Sequence, residues 1–351
     1  MGRLVKDKDY LETVEGLFFC VVGYLHPPGK YTAYLKYVPS ASGRIWRRGS
    51  VKYERIIKRY HVVQVGESFK LLEERYPHYL HYCPIRGIRM SMVPREYVKR
   101  HYAPEDRLRE ILASGGGDPL ERDVASLASW IAREAGVDPR DMGVTGSTLL
   151  GIHNPALSDI DLVVYGAENM RRVEEFVRGA LLDPRSPVKP LSEDYLRRWS
   201  VEHARDAGIS PRELLEIARR RWNYGVYRGR YFSIHAVRKD CEVRERYGDR
   251  VYRSLGEVEG RATISDSSES LFLPALYRVE DVAVKHGEDV GEILEIVSFE
   301  GIFSGVLYEG ERVRFRGKLE EVVDKRGHRY YRVVVGSLEV PQSYVVPLLP
   351  R

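Results

Sequence analysis

Asp159 and Asp161 are the residues of this 351-residue chain whose spacing most directly specifies a chemistry. They stand in Ser158-Asp-Ile-Asp-Leu162, and Val163, Val164 and Tyr165 continue a near-unbroken apolar run. On a strand, residues i and i+2 share a face, so both carboxylates point one way while Ile160 and Leu162 point to the opposite, buried side. Two carboxylates so placed repel each other unless a divalent cation lies between them. Twelve residues before Asp159, Gly146-Ser147 follows the short run 142–145, where a strand ends and a helix can begin. The small pair lets a phosphate approach backbone amides at that helix start, with the Ser147 hydroxyl as an added donor. Paired carboxylates facing a phosphate cradle are what metal-assisted phosphoryl transfer requires.

The stretch 144–166 resembles the signature of the DNA polymerase β-like nucleotidyltransferase superfamily: a Gly-Ser pair, about a dozen residues, then Asp-x-Asp on a strand. Within that superfamily the chain is most similar to the archaeal predicted nucleotidyltransferases and the minimal nucleotidyltransferases. The resemblance covers roughly residues 118–240. It implies a nucleotidyltransferase-fold mixed sheet with helices, Mg²⁺ or Mn²⁺ bound by Asp159 and Asp161, and a triphosphate held by Gly146 and Ser147. The implied reaction moves a nucleoside monophosphate from an NTP to a hydroxyl and releases pyrophosphate.

Active members of that superfamily carry a third carboxylate on a later strand. The matching strand here, 230–237, contains no acid, and its shared face offers Ser233 and His235. His235 can ligate a metal or take a proton, or it can be a buried, hydrogen-bonded strand histidine. Asp240 and Glu242 lie just beyond and replace it if the register is shifted. The rival to an enzyme is therefore a catalytically degenerate fold that binds nucleic acid or nucleotide without turnover.

Several elements must position these groups. Asp118, Pro119 and Glu121 predict a capped helix start, and Leu120, Val124, Leu127 and Ile131 form one apolar face up to Gly136. Residues 168–182, 192–207 and a helix opened by Ser210-Pro211 with Glu213 read the same way. Residues 224–237 read as strands around Arg228-Gly229, and 17–24 and 31–38 as a hairpin across His26-Pro-Pro-Gly29. A short helix is expected over 68–76. Strict alternation at Arg312, Val313, Arg314, Phe315 and Arg316, and a turn at 324–328, predict a small β-barrel from about residue 250. The glycine run 115–117 reads as a boundary or hinge. The expected organisation is α+β: a basic, Tyr-rich α+β region over 1–114, a nucleotidyltransferase-like domain over 115–248 and a barrel over 249–351.

Charge points to polyanionic partners. Residues 1–114 carry a net charge of +9 and 12 of the 24 tyrosines, while the remainder carries −4. Arg44, Arg47, Arg48, Lys52, Arg55, Lys58 and Arg59 alternate with Trp46, Tyr53 and Tyr60, a pattern that suits RNA or DNA through phosphate contacts and base stacking. A solvated thermophile surface reads alike. Arg219 and Arg221, in Arg219-Arg-Arg-Trp222 at a helix end, either clamp nucleotide phosphates or answer the helix dipole. Cys20, Cys83 and Cys241 form no CxxC pair and read as thiols in a reducing compartment. Three Asn and two Gln beside 43 Arg fit a thermophile. The longest early apolar run, 17–25, is too short for a membrane span and lacks a cleavage site, so a cytoplasmic protein is expected.

Overall fold

Asp118 accepts a hydrogen bond from the Glu121 amide at 3.0 Å and opens the helix Pro119–Ala135, with Pro119 in the first turn. Leu120, Val124, Leu127 and Ile131 are fully buried, and Gly136 ends the helix in the left-handed region. The Glu121 carboxylate does not close a capping box on Asp118. It accepts from the Gly117 amide at 2.8 Å and pairs with Arg107.

The computed structural model describes residues 3–57 and 61–349. Its mixed α+β architecture divides into two units, each assembled from three stretches of chain. The first takes the described residues within 1–58, 92–191 and 222–244, and the second those within 59–91, 192–221 and 245–351. These interleaved units differ from the consecutive segments 1–114, 115–248 and 249–351. The glycine run, expected as a boundary, joins helix Pro104–Ser114 to helix Pro119–Ala135 inside the first unit. Gly116 has φ 86°, and a side chain there would meet the Arg122 amide nitrogen at 2.6 Å, so a tight turn accounts for the run.

The first unit holds two sheets. One is five-stranded, in the order Val188–Lys189, Tyr224–Tyr227, Arg230–Val237, Ile160–Tyr165, Met142–Val144. Helices Pro119–Ala135 and Ala167–Leu182 accompany it, and Trp130 meets Phe176 edge-on at 4.9 Å. The other contains β1 (Tyr10–Thr13), β2 (Phe18–Val21), β3 (Lys30–Pro39), β4 (Trp46–Arg48) and β5 (Val51–Arg55). Its order is β4-β5-β3-β2-β1, followed by Val98–Tyr102. The expected hairpin across His26–Gly29 is the β2–β3 pair.

The N-terminal sheet is tied to the face of the five-stranded sheet that bears Asp161. Tyr24 packs on the buried cluster of Val163, Tyr165 and Val237, and its hydroxyl accepts the Arg238 amide at 3.1 Å. Thr145 Oγ1 donates to the Lys8 carbonyl at 2.9 Å, and the Arg47 amide donates to the Ile152 carbonyl at 3.0 Å.

In the second unit His61 caps helix Val62–Arg75, which starts earlier than the expected 68–76. Helices Glu193–Ala207 and Pro211–Arg220 follow, the latter with the full Ser210/Glu213 capping box. Strands Arg250–Asp266, Ala275–His286, Ile293–Ser298, Arg329–Val335 and Arg312–Asp324 pair in that order. Arg250–Asp266 also pairs with Arg312–Asp324, so the strand order returns on itself, and Tyr344–Pro347 adds at the side. Val313 and Phe315 are fully buried, while Arg314 and Arg316 reach Glu213 and Glu257. Among the described residues no helix is long and apolar enough to cross a membrane. Cys20 and Cys83 are buried, whereas Cys241 is exposed.

Candidate functional site

Strand Ile160–Tyr165 runs parallel to Arg230–Val237 and antiparallel to Met142–Val144, so it carries neighbours on both sides. The Thr145 amide donates to the Asp161 carbonyl at 2.9 Å, which draws the start of the next turn against the carboxylate strand. Gly146 adopts φ 70°, and a Cβ at that position would stand 2.5 Å from Asp161 Oδ2. The helix it begins, Gly146–Leu149, is a single turn. Ser147 is buried and donates to Ser158 Oγ at 3.3 Å, and Ser158 Oγ also accepts the Asn154 amide at 3.0 Å. The Gly-Ser pair is thereby bound to the loop that delivers Asp159.

Register places Ser233 directly beside Asp161 and His235 beside Val163. Ser233 Oγ donates to Asp161 Oδ1 at 2.6 Å, and His235 Nε2 lies 2.9 Å from the same Oγ. A serine hydroxyl has one proton to give, so the imidazole Nε2–H must be the donor to Ser233. The result is a chain from His235 through Ser233 to Asp161. Asp159 keeps part of its surface in water, yet lost hydration and then the Asp161 charge push its carboxyl up to about 6, with Arg55 and Arg230 opposing.

Asp240 and Glu242 are engaged elsewhere. Asp240 pairs with Lys6 and accepts the Leu4 amide at 3.0 Å; Glu242 accepts the Ala167 and Lys239 amides, both at 2.9 Å. Neither replaces the missing third carboxylate. Arg230 donates to the Ser158 and Pro155 carbonyls, each at 2.8 Å, and so clamps the loop before Asp159. Arg219 and Arg221 belong to the second unit, where Arg219 is taken up by Glu193 and Arg221 caps its helix.

In the basic stretch, Arg44, Arg47 and Lys52 are exposed, but Arg48 is spent on Glu12 and the Tyr102 hydroxyl. Tyr53 is buried and Trp46 packs edge-on against Tyr37 at 5.5 Å. Tyr53 therefore serves the sheet's own packing and is withdrawn from base stacking, whereas Trp46 remains half-buried. Lys58, Arg59 and Tyr60 lie outside the described residues.

Two groupings are not legible in the sequence. Lys36 and Arg55 stand on neighbouring strands of the N-terminal sheet, where the charge of Asp161 favours protonated Lys36 and that of Arg55 favours ionised Asp159. Asp118, Glu121 and His153 bring three potential ligand atoms within 4.8 Å of one another, the only such trio among the described residues. Each of the three already has a structural role, since Asp118 caps a helix and holds His153 Nε2 at 2.7 Å while Glu121 pairs with Arg107.

No protein-family model matches the chain, and no solved structure matches it. It is similar to the Uncharacterized protein MJ1086 of Methanocaldococcus jannaschii, an archaeon, with 35% identity over 342 residues. The match spans 95% of this chain and 96% of the relative. The chain belongs to the family of that archaeal protein.

Proposed function

We propose that the protein is a metal-dependent nucleotidyltransferase that moves a nucleoside monophosphate from an NTP to a hydroxyl, on RNA or DNA. The observation that carries this reading is the contact of Gly146 with Asp161, which joins the Gly-Ser turn to the Asp159/Asp161 pair in one site. The donor set suits Mg²⁺ or Mn²⁺. Such ions are held through one or two carboxylates together with water and substrate oxygens, and a divalent cation relieves the repulsion that, after burial, raises Asp159. When bound, the cation neutralises charge that develops on the phosphates.

This chain's own residues would do the rest. Asp159 and Asp161 hold the cation. Ser233, backed by His235, fixes the orientation of Asp161, in the way that outer hydrogen bonds steer metal-binding carboxylates. The acceptor oxygen bonds to the α-phosphorus, the bridge to the β-phosphate breaks, pyrophosphate leaves and the acceptor proton is released. Incorporation of α-labelled nucleotide into an RNA or DNA oligomer, with Mg²⁺ and each NTP in turn, tests the reading.

A second reading, a nucleotide- or nucleic-acid-binding module without turnover, is favoured by one observation. The position beside Asp161 is Ser233, and the nearby acids Asp240 and Glu242 are occupied. Tight Mg²⁺-dependent NTP binding with no incorporation would select it.

A further inference from the structure

Lys36 sits where the strand pairing of the N-terminal sheet breaks. Phe18 pairs with Tyr37 and Phe19 with Leu35, so Lys36 is the extra residue of a bulge on β3. Bulges re-aim side chains and recur beside functional sites. The next strand is held to the same spot, since the Ile56 amide donates to the Lys36 carbonyl at 2.9 Å and Arg55 pairs in register with Tyr37. Both cations are half-buried. Among the described residues Lys36 Nζ meets the Tyr34 hydroxyl at 3.4 Å and the Tyr34 ring, while Arg55 Nε donates to the Ile57 carbonyl at 2.8 Å and its guanidinium lies over the Trp46 ring. Among the described residues neither makes an ion pair, although buried and half-buried cations elsewhere in the chain, such as Lys318, Arg332 and Arg220, do.

Two half-buried positive charges without a carboxylate partner are costly unless an anion joins them. The sheet that carries both cations is tied beside the aspartate pair, since Thr145, whose amide donates to the Asp161 carbonyl, gives its hydroxyl proton to the Lys8 carbonyl. The charge of Asp161 favours protonated Lys36, as that of Arg55 favours ionised Asp159. Burial, and then the charge of Arg55, lower the Lys36 amine to about 7. An arriving phosphate would restore its full charge.

We propose that Lys36 and Arg55 form the anion-binding half of this site and hold the phosphates of the nucleotide, opposite the cation held by Asp159 and Asp161. The inference rests on the nucleotidyltransferase reading and adds to it a role for the N-terminal sheet. An ammonium and a guanidinium fork suit phosphate oxygens, and their half-buried setting suits a compact polyphosphate. The exposed Arg44, Arg47 and Lys52 suit an extended strand instead.

The test measures Mg²⁺-dependent binding of α,β-methylene-ATP and of inorganic triphosphate to the full chain by calorimetry. Lys36→Met and Arg55→Met should each weaken both ligands by roughly tenfold or more, to the same extent for each, because the lost contacts are to phosphate. Methionine keeps an apolar stem of similar length, so thermal stability should hold or rise, and Lys36→Arg should retain most of the affinity. Asp159→Asn with Asp161→Asn reports on the parent reading. If that double variant loses binding while Lys36→Met and Arg55→Met bind like the wild type, the inference fails and the nucleotidyltransferase reading stands. Weakened binding of an oligonucleotide but not of triphosphate overturns it equally. A wild type that binds neither probe overturns both.

Discussion

Gly146 lies so close to Asp161 that a single added methyl group would stand 2.5 Å from the carboxylate Oδ2. Gly151 offers the control, because its φ of 62° is similar but a Cβ there would meet nothing within 4 Å. Gly151→Ala should cost about 1 kcal/mol of stability, the ordinary penalty for a left-handed alanine. Gly146→Ala should cost more, about 2 kcal/mol, and should also abolish Mg²⁺-dependent nucleotide binding by displacing Asp161. Equal effects of the two substitutions on binding would dissociate the turn from the carboxylates.

Asp159→Asn together with Asp161→Asn should remove Mg²⁺-dependent NTP binding while the fold remains. Without metal the double variant should match or slightly exceed the wild type in stability, since the burial cost and then the repulsion that raise Asp159 are gone. Calorimetric titration with Mg²⁺ and a denaturation curve check the two halves separately. Undiminished metal affinity would remove the site from consideration.

Ser233, rather than His235, occupies the register position next to Asp161. Ser233→Asp therefore supplies the third carboxylate most directly. In the absence of metal it should destabilise the protein by roughly 1–3 kcal/mol through a lost hydrogen bond and added repulsion. Mg²⁺ should raise its melting temperature more than that of the wild type. A variant indifferent to Mg²⁺ contradicts the expected geometry. His235→Ala, which breaks the outer link to Ser233, should reduce transfer far more than stability.

Nucleic-acid binding, if mediated by the exposed cations of the β4–β5 hairpin, should follow salt. Neutralising Arg47 and Lys52, which pair across that hairpin, should flatten the log–log salt slope for a single strand by about 1.4. Arg48→Ala should instead act on stability, through its bonds to Glu12 and Tyr102. An unchanged slope for the Arg47/Lys52 variant assigns the hairpin to solvent.

His26 gives a pH signature of the N-terminal sheet. Its Nε2–H donates to the Val5 carbonyl at 2.9 Å and its Nδ1 accepts the Thr32 amide at 3.1 Å, so the folded ring is neutral. Burial lowers it to about 4, below an unfolded value near 6.5. The unfolded chain then takes up the proton first as pH falls, so stability present above pH 6.5 is lost progressively down to pH 4. His26→Gln should be less stable than the wild type at pH 7.5 by about 1 kcal/mol, and the gap should close near pH 6 and reverse by about pH 4.5. A gap that stays constant with pH would falsify this assignment.

The strand Ile160–Tyr165 was legible because period-two alternation and an apolar flank are local signals, although it begins one residue after Asp159. So was helix Pro119–Ala135, whose cap and apolar face lie within one stretch. Lys36 was not, because a bulge breaks the alternation from which facing is read. The engagement of Asp240 with Lys6 and of Glu242 with Ala167 depends on contacts far apart in sequence, which no local pattern encodes. The same holds for the aromatics of the basic stretch: Tyr53 and Trp46 stand among cations along the chain, but only the fold shows that Tyr53 is buried and that Trp46 packs on Tyr37.

The interleaving of the two units sets an order of events during synthesis. The Asp161-bearing strand leaves the ribosome long before its parallel neighbour, since the Asp161–Ser233 bond spans 72 residues. At ordinary elongation rates that gap lasts about 4–14 seconds. Until it closes, one edge of the strand is unpaired, with an apolar run that can template aggregation. A stretch of the second unit, within 192–221, emerges in that interval. Any nascent-chain factor that shields strand edges would find its window there, and truncations ending before residue 230 should yield insoluble protein rather than a smaller folded unit.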